Sequence, residues 1–167
     1  MGRAWGIGAL LALCAGTAAA EPDGVTYLLG GAASGPYRVS VNLDAGVATE
    51  AVPPAGKHGD GAGLSAAEMP VTATRALPPG AAARIRRLAA PVWDAGAYIP
   101  SATCKPSIDA LWRFRIVQAG EARVFDVPAV CANPGAHALQ EALVCAVHPD
   151  GPRCPAGPGQ GHPARVP

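Results

Sequence analysis

The side chains able to do chemistry are few and scattered. His58 stands in a glycine-rich loop, His137 in the first turn of an expected helix, His148 just past that helix, and His162 in a proline-rich tail. Ser34, Ser65, Ser101 and Ser107 lie in plain loop sequence, outside any G-x-S-x-G turn that would expose a serine nucleophile. Asp109 and Asp126 could approach as a carboxylate pair, but a turn and an ion pair explain them as well. The glycines around Lys57 lack the G-x-x-x-x-G-K-[ST] order of a phosphate loop. No catalytic residue, cofactor site or metal site is assigned.

The tripeptide His148-Pro149-Asp150 is that of J-domain co-chaperones, but the pair of long basic helices that flanks it there has no counterpart here. The cysteines are more informative. Met1 to Ala20 carries an early cation, Arg3, then an apolar run from Ile7 to Leu13, then Thr17-Ala18-Ala19-Ala20 ahead of Glu21-Pro22. That is the pattern of a secretory signal peptide cleaved after Ala20, and the run is shorter than the ~20 residues that span a bilayer. Leu13 before Cys14 is too bulky for a lipid-attachment site. Four cysteines then remain, Cys104, Cys131, Cys145 and Cys154, and in an exported chain they are expected to form two disulfides. A thiol nucleophile is then excluded, and no C-x-x-C or close Cys/His spacing suggests metal. The expected location is periplasmic or extracellular.

Removal of 20 of the 167 residues leaves 147, enough for one domain, and removal of Arg3 balances the cations and anions at 12 each. Neither nucleic acid nor an anionic membrane surface is an expected partner. No other stretch is a transmembrane candidate, and the mature chain is expected to be monomeric.

The elements that position these residues are organised by Leu111 to Val127, which reads as a β-hairpin. With Ala119 and Gly120 as its two-residue turn, Ile116 faces Arg123, Phe114 faces Phe125, Trp112 faces Val127 and Arg113 faces Asp126. A slip of one residue would carry Asp126 onto the aromatic face, where a buried charge is costly. Cys104 and Cys131 stand near the open ends of the strands, so their pairing closes the hairpin's base, stabilising by about 3 to 4 kcal/mol. Cys145 to Cys154 follows by elimination.

Residues 21–35 are expected as a flexible lead-in with at most a short strand at Val25 to Leu29, ahead of an α+β domain over 36–154. Tyr37, Val39, Val41 and Leu43 alternate as a half-buried strand, Asp44-Ala45-Gly46 turns it, and the return strand should place Val47, Thr49 and Ala51 on the face of Val41 and Leu43. Val52 to Leu64 is loop. Met69 to Ala76 is an expected edge strand, and a helix over Ala81 to Ala90, ended by Pro91, carries Ile85, Leu88 and Val92 as its stripe. Asn133-Pro134 begins a second helix running to about Val147, with Ala136, Leu139, Leu143, Ala146 and Val147 inward and Cys145 outward. Residues 155–167 form a proline- and glycine-rich tail.

The expected fold is therefore α+β: a small antiparallel sheet of two hairpins and an edge strand, two helices on the face of Trp112, Phe114 and Phe125, and two disulfides. The expected function is an exported binding module without catalysis, for an unknown protein partner, with Lys57, His58, Tyr98, Ile99 and Lys105 in its candidate binding loops. Two alternatives stand beside it. One is a secreted protease inhibitor acting through Tyr98 to Ser107, and the other is a small hydrolase with an unrecognised site.

Overall fold

The alternating stretch around Trp112 folds in the register its side chains require. The computed structural model describes residues 20–30, 36–53, 69–98, 104 and 110–154. Among them the element order is β1 (Gly24–Gly30), β2 (Tyr37–Asn42), β3 (Val47–Ala51), β4 (Val71–Ala76), α1 (Ala81–Ala95), β5 (Leu111–Gln118), β6 (Glu121–Pro128), a 3-10 turn at Ala129–Cys131, and α2 (Pro134–Val147). The six strands form one antiparallel sheet in the order β4-β3-β2-β1-β5-β6. The pairs of β5 with β6 include Trp112 with Val127, Arg113 with Asp126, Phe114 with Phe125 and Ile116 with Arg123. Ala119 and Gly120 both take positive φ, 51° and 78°, which makes the turn type I′.

The helices share one face of this sheet. Trp112, Phe114, Ile116 and Val127 are buried there with Ile85, Ala89 and Val92 of α1 and Ala136, Leu139, Leu143, Ala146 and Val147 of α2. Tyr27 joins them at the centre, its ring 5.4 Å from that of Phe114 and 5.9 Å from that of Trp112. Both disulfides have the expected connectivity, with Cα atoms 5.6 Å apart for Cys104–Cys131 and 5.4 Å apart for Cys145–Cys154. Such pairs fit an oxidising, exported environment. No helix among the described residues is long and apolar enough to cross a membrane.

Three expectations are corrected. Val25 to Leu29, read as a minor part of a flexible lead-in, lies in the interior strand β1, flanked by β2 and β5, so the domain begins well before residue 36. Gly24 is where the backbones close in: a Cβ there would stand 2.7 Å from the Val41 carbonyl oxygen. The β2–β3 hairpin is displaced by one residue, because Asn42 Oδ1 accepts from the amides of Asp44 and Ala45 and widens the loop. Val41 therefore faces Ala48 and Val39 faces Glu50, while Val47 and Thr49 turn to the opposite face. Finally, α1 runs through Pro91 to Ala95. Pro91 leaves the Arg87 carbonyl without its helical donor, but both residues lie on the solvent side, and Val92 extends the buried stripe.

Asp23 and Asn133 fasten these parts together. The Asp23 carboxylate accepts from the Ala119 amide, its own amide donates to Asp44, and its carbonyl accepts from Leu43, so one residue holds both hairpin turns. Asn133 caps α2 by accepting from the Ala136 amide, and its Nδ2 donates to the Gly96 carbonyl at the end of α1.

Candidate functional site

The residues with chemical potential do not converge as a catalytic set among the described residues; most are engaged in local pairs. Asp126 receives both Nε and Nη2 of Arg113, at 2.6 and 2.8 Å, and these charge-assisted bonds hold its carboxyl below the ordinary range. Arg115 grips Glu21 in the same forked manner on the same face, and Glu21 is likewise lowered. His137 sits against the edge of Trp112, ring centroids 4.8 Å apart. No group of three His, Cys, Asp or Glu side chains able to hold a metal ion occurs among the described residues. His58, His162, Ser34, Ser65, Ser101, Ser107 and Asp109 lie outside the described residues.

One polar nest brings together residues that the sequence pattern does not group. The displaced register of β3 carries Glu50 to the helix-covered face, where one carboxylate oxygen lies 2.7 Å from His148 Nε2 at the end of α2. The Tyr37 hydroxyl is buried nearby, and burial, reinforced by the Glu50 carboxylate, pushes its phenol far up. Tyr27 is pushed up as well, chiefly by burial. The signal available was Asn42, whose position before Leu43-Asp44-Ala45-Gly46 marks an Asx turn and hence the longer loop.

Of the candidate binding-loop residues, Lys57, His58, Ile99 and Lys105 lie outside the described residues, and Tyr98 is 42% exposed. What the structure adds is how Tyr98 and its neighbours are fastened. Tyr98 makes an antiparallel bridge with Ala132, Cys104 is bonded to the fully buried Cys131, and the Ala110 carbonyl accepts from the Ala129 amide. Three points of the chain, at 98, 104 and 110, are thus tied to four consecutive residues, 129 to 132. That short stretch is itself seated on the core, through Cys131 and Ala132 below and through Asn133, whose amide donates to the Ala97 carbonyl.

Exposed apolar side chains stand at or next to these ties along the chain. Val130 is 63% exposed, and Leu111, opposite Pro128 in the ladder, is 42% exposed. With Tyr98 they make three of the five large apolar side chains that are exposed among the described residues. Each is at or beside a tied position: Tyr98 at the bridge, Leu111 after Ala110, and Val130 between Ala129 and Cys131. The sequence names each residue; the ties beside them, the 98–132 bridge and the bond from the Ala129 amide to the Ala110 carbonyl, are announced by no local pattern. Comparison with known proteins finds no matching family model, no matching curated protein and no matching solved structure.

Proposed function

We propose that the chain is an exported, disulfide-bonded binding module that acts without catalysis, and that it meets its protein partner with the surface around the Cys104–Cys131 disulfide. One observation carries the reading: the chain from Tyr98 to Ala110 is held at both ends and at Cys104 by the stretch 129 to 132, beside exposed Tyr98, Leu111 and Val130. Tyr98, Cys104 and Ala110 are already fixed at their ties, so less conformational freedom is lost at these positions on binding and more of the contact energy appears as affinity. The exported location rests on the signal-peptide pattern of Met1 to Ala20 and is supported by the two disulfides.

The test is capture of partners from the exported fraction with the processed chain beginning at Glu21, followed by cross-linking mass spectrometry. Links should map to the chain between Tyr98 and Leu111 and to Val130, and capture should weaken in Tyr98→Ala and fail in the Cys104→Ala, Cys131→Ala pair. Links confined to the opposite end of the sheet, at β4 or the β2–β3 turn, would defeat the reading.

The ties at Tyr98 and Cys104 favour a narrower second reading, inhibition of a secreted protease, in which Tyr98 to Ser107 enters an active site as a substrate-like segment. Stoichiometric inhibition of endoproteases of basic, aromatic or small-residue specificity is its signature. Absence of inhibition across all three removes this narrower reading and leaves the binding module standing.

A further inference from the structure

Among the described strands β6 is one edge of the sheet, and it is a well-formed one. Its eight residues pair with β5 without a break in register, and no described strand lies on its other side. In a two-residue hairpin the closing pair, Gln118 with Glu121, is hydrogen bonded, so every second pair along the ladder is too. The bond from the Ala129 amide to the Ala110 carbonyl agrees with that alternation. The N–H and C=O groups of Ala122, Val124 and Asp126 consequently point away from β5, and Val124 at their centre is 55% exposed. A row of this kind is a template for another strand.

We infer that two copies of this chain pair antiparallel through their β6 edges about an axis at Val124, joining two six-stranded sheets into one. The side chains select this register. With the axis at Val124, Ala122 meets Asp126 of the second copy, Arg123 meets Phe125, Glu121 meets Val127, and the two valines meet each other, so no like charges stand opposite and each outward amide and carbonyl of the three residues finds a partner. An axis at Arg123 or at Asp126 would set like charges face to face. An axis at Phe125 would set Pro128, which has no N–H, against Ala122. The opposite edge, β4, is less suited: it is six residues long, its pairing with β3 shifts between Glu50 and Ala51, and Thr72 turns its hydroxyl back to the Glu50 carbonyl. The contact is isologous and therefore closes at two copies. It departs from the monomer expected of the sequence, because the hairpin pattern does not reveal that β6 ends the sheet.

The experiment is sedimentation velocity on the processed, oxidised chain over a range of micromolar concentrations, with Val124→Pro as the variant. The Val124 amide takes no part in the ladder to β5, so proline there leaves the fold in place, checked by circular dichroism. The parent should pass from monomer to twice that mass as concentration rises, and Val124→Pro should stay monomeric. Val124→Cys should cross-link as a symmetric dimer under mild oxidation, while Val71→Cys, equally exposed on β4, should not. If Val124→Pro does not fold, the cysteine pair decides. A chain that stays monomeric throughout, a dimer that survives Val124→Pro in folded form, or cross-linking through Val71 alone overturns the inference.

Discussion

The Asp23 carboxylate accepts a 2.8 Å hydrogen bond from the amide of Ala119, a non-glycine residue held at φ 51°. A residue that enters the sheet at its N-terminal end thereby secures the least comfortable backbone position in the described structure, at the tip of a hairpin formed almost a hundred residues later. Two predictions rest on this bond.

Asp23→Ala removes the acceptor while leaving the residue's backbone bonds to Leu43 and Asp44. Because the site is exposed, the cost should be about 1 kcal/mol in chemical denaturation. Asp23→Asn, which keeps an acceptor oxygen, should recover part of it.

Ala119→Asn turns the hairpin tip into Asn-Gly, the pairing that tolerates two positive φ angles. Stability should rise by roughly 0.5 to 1 kcal/mol, which for a chain of this size is a melting shift of about 2 to 4 °C. A fall in stability would mean that the turn is not type I′ in solution.

Asn133 bonds to both helices, and its two functions can be separated. Asn133→Asp keeps the N-cap oxygen for Ala136 but presents an acceptor to the Gly96 carbonyl, whereas Asn133→Ala loses both bonds. Asn133→Ala should cost about 1 to 3 kcal/mol, with Asn133→Asp between it and the parent.

The hairpin register was legible because Leu111 to Val127 satisfies several rules at once: alternation, a glycine turn, a charge that must stay outside and cysteines at its feet. The partners of β1 were not, since its pairing with β5 spans more than eighty residues and leaves no mark on the local pattern of Val25, Tyr27 and Leu29. The extent of α1 was hidden by Pro91, whose bias against helix interiors is overridden by burial of Val92. Of the candidate surface, Tyr98 and the disulfide were readable; the tie from Tyr98 to Ala132 and the exposure of Val130 and Leu111 were not, because they follow from which strands are neighbours.

Cys104→Ala with Cys131→Ala opens the tie across 27 residues and should cost about 3 to 4 kcal/mol. The corresponding change at Cys145 and Cys154, separated by 9, should cost about 2 to 3 kcal/mol. Peptide mapping under non-reducing conditions should return the two pairs, and a fragment linking Cys104 to Cys145 would contradict the fold.

At alkaline pH the buried phenols of Tyr27 and Tyr37 become a liability. Both are raised in the folded state, so their neutral forms favour folding fully below about pH 10, where unfolded tyrosine ionises, and that contribution declines as pH rises beyond it. Unfolding midpoints should fall progressively above about pH 10, more steeply in the parent than in Tyr27→Phe or Tyr37→Phe.

The interior place of β1 also sets a schedule. Chain order places β1 to β4 as a run of strands each adjacent to its predecessor, and these can pair before β5 is available. Throughout that interval the far side of β1 stands open, with a bare row of backbone donors and acceptors beside Val25, Tyr27 and Leu29, until Leu111 to Val117 arrives to cover it. A chain interrupted before β5 is therefore an unfinished sheet with an adhesive margin, and the hairpin made later acts as the stitch that seals it.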